Sequence, residues 1–178
     1  MSLERLTCPF PDNINPLTSG GFMLSIQKFP EAKFWCTQAN LPGLTLPEAP
    51  FATRFNQVPT PGDTLTFDSL EVRFLIDADM GNYKKVWNWI YSLGFPDNNT
   101  DFSNFVNSDT RGVRGNYAKT VSDGALTILN NSNVAIETIQ FIDLWPTNIT
   151  SLQLQSDNSD TVYLACDATF RFSHWKFT

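Results

Sequence analysis

Hydrophobic and polar positions alternate with a period of two along most of the chain. From Ser69 to Ile76, Leu70, Val72, Phe74 and Ile76 alternate with Ser69, Glu71, Arg73 and Leu75, the pattern of a strand with one buried face. The longest alternation is C-terminal. There Val162, Leu164, Cys166, Ala168, Phe170 and Phe172 share one face, and Thr161, Tyr163, Asp167, Thr169, Arg171 and Ser173 the other, which predicts one long antiparallel strand. Phe22, Leu24 and Ile26 set a further strand, with Lys33 to Ala39 as its expected partner after a turn at Phe29 to Glu31. Two more are expected at Tyr117 to Leu129, broken near Ser122, Asp123 and Gly124, and at Ala135 to Leu144.

One segment departs from this period. Between Asp79 and Leu93, Tyr83, Val86, Trp87, Ile90 and Leu93 recur at helical spacing, with Lys84, Lys85 and Asn88 opposite. Asp79 is the expected N-cap, and Gly94 with Pro96 the expected stop, giving a helix over 79–94. Its aromatic stripe is that of a lid over the open end of a β core. The class is therefore mainly β, an antiparallel sandwich or barrel-like fold with one amphipathic helix and long extended loops.

Two connections are longer than a compact domain ordinarily carries. Residues 41–63 hold five of the eleven prolines, at 42, 47, 50, 59 and 61, together with Leu44, Leu46, Phe51, Phe55 and Val58. Proline keeps this stretch out of a central strand, and its apolar side chains are costly to leave wet. It reads as an arm lying on a neighbouring subunit, a loop packed on its own domain being the alternative. Residues 96–116 are rich in Asn, Asp, Ser and Gly but include Phe102 and Phe105. They read as an exposed loop that orders on a partner.

The chain's 178 residues suit a single domain over 1–178, with an extended N-terminal segment at 1–20. A hydrophobic fraction of 42 % and 24 aromatic residues set aside intrinsic disorder. Twelve Lys and Arg against eighteen Asp and Glu give a net charge of −6, which counts against a protein that grips nucleic acid phosphates by counterion release. An acidic wall beside a polyanion is compatible with it. Apolar runs such as Phe141 to Trp145 are far shorter than a membrane span, and Met1 to Asn15 has no secretory h-region.

The sequence carries almost no catalytic constellation. His174 is the lone histidine and has no evident orienting carboxylate. Cys8, Cys36 and Cys166 match neither a disulfide framework nor a zinc spacing and read as buried thiols of a cytoplasmic protein. Asp77 and Asp79 are better explained by helix capping than by calcium. Gly20 and Gly21 lack the lysine of a phosphate loop, and Arg111 with Arg114 reads as a solvated loop tip. The Asn-X-Ser/Thr triplets at 98, 130 and 148 are formal glycosylation matches without a signal peptide. No metal, cofactor or catalytic residue is expected.

At Phe141 to Leu154 the chain reads FIDLWPTNITSLQL, and its Leu144–Asn148 element, LWPTN, precedes a polar turn and the alternating C-terminal strand. With the LPG turn at Leu41 to Gly43, the Pro-rich arm, and FDSLEVRFLIDADMGNYKKVWNWI from Phe67 to Ile90, the order and spacing resemble the tail tube proteins of contractile-tailed, T-even-type bacteriophages. The likeness spans roughly Gly21 to Phe177; Met1 to Gly20 and residues 96–116 depart from it.

The resemblance implies a structural, non-enzymatic virion protein. Six subunits close into a ring whose strands line an inner β-barrel, and rings stack into a tube bounded by sheath, baseplate and tail-terminator proteins. DNA passes through the lumen without specific binding, assembly takes place in the host bacterial cytoplasm, and no membrane insertion is involved. Ring closure removes exposed strand edges. On this reading Pro42, Leu44, Leu46, Phe51, Arg54, Phe55 and Val58, with Trp145 and Pro146 at the LWPTN turn, are the expected inter-subunit contacts, and Trp145 has the alternative of plugging its own core. Ser69, Glu71, Arg73, Thr161, Tyr163, Asp167, Thr169 and Arg171 are the expected lumen face. A minor tube-like protein of the baseplate or tail end is the rival within this class. A carbohydrate-binding β-sandwich is the rival outside it, and it would need two or three exposed Trp or Tyr on one flat face.

Overall fold

Fifteen consecutive residues, Ala135–Ile149, form the strand around which the fold is organised. The computed structural model describes residues 16–17, 19–94, 99–108, 119–155 and 163–178. In chain order the elements are β1 (Phe22–Ile26), α1 (Ala32–Trp35), β2 (Cys36–Ala39), β3 (Leu44–Thr45), β4 (Glu48–Ala52), β5 (Gln57–Pro61) and β6 (Thr66–Phe67). They continue with β7 (Leu70–Leu75), α2 (Gly81–Gly94), α3 (Asn99–Ser108), β8 (Ser122–Leu129), β9 (Ala135–Ile149), β10 (Ala165–Arg171) and β11 (His174–Phe177).

The main sheet is antiparallel in the order β1-β8-β9-β10-β7-β2, with β11 also paired to β9. The first part of β9 pairs β8 on one side and β11 on the other, and its last residues, from Trp145, pair β10. β10 and β11 are thus two halves of one bent C-terminal strand. The bend lies where Ser173 N–H donates to the Ile142 carbonyl (2.9 Å) and Ser173 Oγ donates to Asp143 Oδ2 (3.2 Å). Asp143 itself has φ 55°, a left-handed conformation that Asp tolerates better than bulky residues. Together these kinks fold one sheet into two packed layers, the usual way a strand turns a sandwich corner. No ladder joins β1 to β2, so the sheet is not closed into a barrel.

The alternating residues of the strands fill the space between the layers. Leu24, Ile26, Leu70, Val72, Phe74, Leu126, Ile139, Phe141, Leu144, Cys166, Ala168 and Phe170 are all buried in one cluster. α2 covers it with Val86 and Trp89. Asn82 joins the helix to β7: its Nδ2 donates to the Leu75 carbonyl (2.7 Å), and its Oδ1 accepts from Tyr83 N–H (2.8 Å) and Asp77 N–H (3.3 Å). A fully buried amide satisfied in this way fixes where strand ends and helix begins.

Several sequence expectations change. Lys33 to Ala39 is not one strand paired to β1. Phe29, fully packed in the core, and Pro30 lead into the single helical turn α1, and only Cys36–Ala39 is extended, paired to β7. Besides α2, the described residues include the short turn α1 and a helix, α3, that occupies part of 96–116. Its Phe102, Phe105 and Val106 form an apolar stripe that the surrounding polar composition hides. In α2 the buried tryptophan is Trp89, and Trp87 is exposed.

The helix starts later than Asp79, since the Met80 carbonyl accepts from Lys84 N–H (2.9 Å). Residues 119–120 are helical and β8 begins only at Ser122. The C-terminal strand starts at Ala165, after Tyr163 and Leu164, while Thr161 and Val162 lie outside the described residues. LWPTN is not a turn but the final part of β9. Its Pro146 is tolerated opposite Phe170, beside a bulge in which β9 carries one extra residue, Thr147, between the pairs Phe170↔Pro146 and Thr169↔Asn148.

Candidate assembly surfaces

The Pro-rich segment is a freestanding β-hairpin. Among the described residues β4 and β5 pair only with each other, Glu48↔Pro61 through Ala52↔Gln57, and every residue from Gly43 to Pro61 is exposed. The tip turns at Thr53 to Asn56, where Thr53 N–H donates to the Asn56 carbonyl (2.8 Å) and the Arg54 guanidinium lies 5.6 Å from the Phe55 ring centroid. At its base Gly62 N–H donates to the Pro47 carbonyl (2.8 Å), and a Cβ at Gly62 would sit 2.6 Å from that oxygen, so only glycine fits. Phe55 is 93 % exposed and Phe51 63 %, with Leu44, Leu46 and Val58 also in the open.

The hairpin is fastened to the body through β6. Phe67 packs edge-on against Phe172 (5.9 Å) and Trp175 (6.4 Å), and its carbonyl accepts from Arg171 Nη1 (3.1 Å). Of the expected contact residues, Pro42 and Pro146 are buried within the chain and offer little to a neighbour. Trp145 is 38 % exposed, halfway between a core plug and a free anchor.

The polar residues of β7 and β10 do share one face, because β10 pairs β7 in the register Asp167↔Arg73 and Thr169↔Glu71. Arg73 Nε lies 3.9 Å from Asp167 Oδ1, with both side chains about half exposed (53 % and 54 %), so the pair contributes at most about 1 kcal/mol. β2 extends this face. Asn40 Oδ1 accepts from Glu71 N–H (2.7 Å) and its Nδ2 donates to the Ser69 carbonyl (3.1 Å). A concavity of about 400 Å³ lies among Gln38, Asn40, Glu71, Arg73, Thr150, Asp167 and Thr169. Sequence reasoning missed Gln38, Asn40 and Thr150, which nothing in the linear pattern connects to β7.

Glu71 and Asp167 are balanced on this face by Arg73 and Arg171, so the chain's net charge is not concentrated there. Tyr163, 77 % exposed, stands just before β10. Thr161 lies outside the described residues.

On the opposite side of the core, α2 and α3 border a groove of about 380 Å³ lined by Trp87, Asn88, Tyr91, Ser92, Asp101, Asn104 and Phe105. Lys28 pins α3 here: its Nζ donates to the Lys119 carbonyl and lies 4.2 Å from the Phe105 ring centroid and 5.4 Å from that of Trp89. The other exposed tryptophans, Trp35 and Trp145, belong to α1 and β9, elements other than the helix that carries Trp87.

Among the described residues no group of three His, Cys, Asp or Glu could hold a metal, and no helix is long and apolar enough to cross a membrane. His174 is exposed in β11, opposite Ile142. Burial pushes the Cys36 thiol up to about 11, against a small opposing effect of the Gln38 carbonyl, and burial likewise raises Cys166. Both thiols are therefore expected to resist iodoacetamide in the folded chain near neutral pH and to label fully in denaturant. Peptide mass spectrometry checks this; fast native labelling of Cys36 would contradict it.

The fold is thus a two-layer antiparallel sheet lidded by an amphipathic helix, with a hairpin of exposed apolar side chains projecting from it. The model of the phage tail tube protein family matches residues 9–178, and the chain belongs to that family. Its fold is similar to a chain of the anti-feeding prophage baseplate, with TM-score 0.61 and 9 % identity over 92 % of this chain and 96 % of that one. It is also similar to a chain of the anti-feeding prophage tube-terminating cap, with TM-score 0.59 and 11 % identity over 98 % of each chain. A chain of the PVC sheath–tube complex, from an extracellular contractile injection system in its extended state, matches with TM-score 0.56 and 14 % identity over 92 % and 91 %. At these identities the likeness is one of fold. No curated protein sequence matches significantly.

Proposed function

We propose that this chain is a structural, non-enzymatic subunit of the inner tube of a contractile phage tail, acting as a single tail tube-type domain. Six copies close into a ring, and rings stack into a tube that sheath surrounds and that baseplate and terminator proteins bound. The subunit is made and assembled in the host bacterial cytoplasm and resides in the virion tail. The observation that carries this reading is the exposed hairpin: Leu44, Leu46, Phe51, Phe55 and Val58 in a family of tube proteins are apolar surface that a neighbouring subunit covers. The baseplate containing a similarly folded chain is 6-fold symmetrised, which supports the ring size.

The face carrying Ser69, Glu71, Arg73, Asp167, Thr169 and Arg171 lines the lumen. Its balanced charge and short polar side chains deny a passing polyanion any cationic track, so DNA slides along it without being gripped. Negative-stain microscopy of the purified protein tests the proposal. Tubes with sixfold end views are expected. A chain that stays monomeric at high concentration overturns it, and single rings that never elongate would assign the chain to a tail end or to tube initiation instead.

A further inference from the structure

The arm's hydrogen-bond phase is fixed at both ends, by Gly62 N–H to the Pro47 carbonyl and by Thr53 N–H to the Asn56 carbonyl. Bonded and non-bonded pairs alternate along an antiparallel ladder. The pairs Glu48↔Pro61, Pro50↔Pro59 and Ala52↔Gln57 are therefore the non-bonded ones, and their backbone groups point outward from the hairpin. Three of these six outward positions are proline and have no N–H to offer. On β4 the gap falls in the middle, between Glu48 and Ala52, and on β5 only Gln57 remains. Neither edge keeps two successive outward donors, so an incoming strand finds no ladder to extend.

The side chains tell the complementary story. Phe51 and Val58 face each other across the hairpin on one side, 63 % and 44 % exposed, and Phe55 stands at the tip. On the other side Pro50 faces Pro59. Arg54 is the one charge between Ala49 and Gly62, a cation on a chain of net charge −6, so a second acidic copy attracts the tip. The same chain exposes Phe34, Trp35, Val134 and Ile136 outside the arm, apolar surface of the kind these side chains cover.

We infer that the arm docks on a second copy of this chain through the Phe51–Val58 face and the Phe55 tip, by side-chain burial alone, and that Pro50, Pro59 and Pro61 stop it from pairing edge to edge with other strands. This rests on the reading of the chain as a tube subunit. The prolines let an arm with exposed apolar side chains wait in solution for its proper seat.

Two variants of the full chain test it, each read by sedimentation velocity, microscopy and thioflavin fluorescence, with circular dichroism as the check on folding. F51S/V58S is expected to keep the parental spectrum and melting midpoint, stay soluble, and lose at least tenfold in assembled fraction. F51L/V58I, which keeps the apolar face, is expected to restore assembly. P50T/P59T/P61T returns the outward donors and is expected to give thioflavin-positive lateral aggregates at concentrations where the parent stays clear.

Parental assembly by F51S/V58S overturns the docking face. Clear solutions and normal tubes from the threonine variant overturn the edge blocking. Should the unmodified chain form no tubes, the tube reading fails by itself, while the thioflavin comparison still decides what the prolines do.

Discussion

Replacing residues 48–61 by two glycines is expected to leave a folded chain, with close to its original melting midpoint, that no longer assembles. The excision point is set by the structure, because Gly62 and Pro47 are already hydrogen-bonded across the base of the hairpin. All fourteen excised residues are exposed, and their strands pair only with each other. Their loss removes no core contact, and shortening the loop lowers its closure entropy. The apolar side chains removed are those that the proposed assembly would cover, so the expected effect falls on association. Size-exclusion chromatography and circular dichroism check this together. Rings or tubes of the usual size from the shortened chain would show that the arm is dispensable, and a collapsed melting transition would show that it belongs to the core.

Phe74→Ala is expected to have the largest effect on stability of any single truncation in β7. Phe74 is fully buried, packs edge-on against Phe29 at 5.5 Å, and lies opposite both Cys36 on β2 and Cys166 on β10. It is therefore held from three directions, and the cavity left behind cannot readily collapse. A loss of about 3–5 kcal/mol is expected, a large share of the roughly 5–15 kcal/mol that holds a typical domain. In a chain of this size that corresponds to a fall in melting midpoint of about 6–20 °C. Phe34→Ala is the control: Phe34 is 81 % exposed, and its truncation should cost no more than about 0.5 kcal/mol in the isolated chain. Chemical denaturation measures both, and a Phe74→Ala loss below about 1 kcal/mol would contradict the packing described.

How far the sequence discloses this fold depends on whether one face of each element is buried. β7 is fully legible because Leu70, Val72 and Phe74 go in while Glu71 and Arg73 go out. α2 is legible in period but not in phase. Two tryptophans compete, and the choice of Trp89 over Trp87 is made by Asn82, a polar residue on the buried side that no hydrophobic pattern flags.

Prolines misled twice. Pro146 suggests a turn but lies within β9 beside a register shift, and the prolines of the arm suggest irregular chain but occupy hairpin positions that need no N–H. α3 is obscured by its own polarity. The polar face is half visible: alternation groups Glu71 with Arg73 and Asp167 with Thr169, but only the fold brings β10 beside β7 and adds Asn40, which follows β2.

The bond from Arg171 to the Phe67 carbonyl has a mechanical meaning. Arg171 belongs to β10, one of the strands of the polar face, and Phe67 to the root of the hairpin. A force applied to the hairpin therefore does not stop at a slack loop. It is carried, through that guanidinium and the Phe67–Phe172–Trp175 stack, into β10, so in the proposed tube the tension between subunits and the calibre of the channel would be adjusted by one joint.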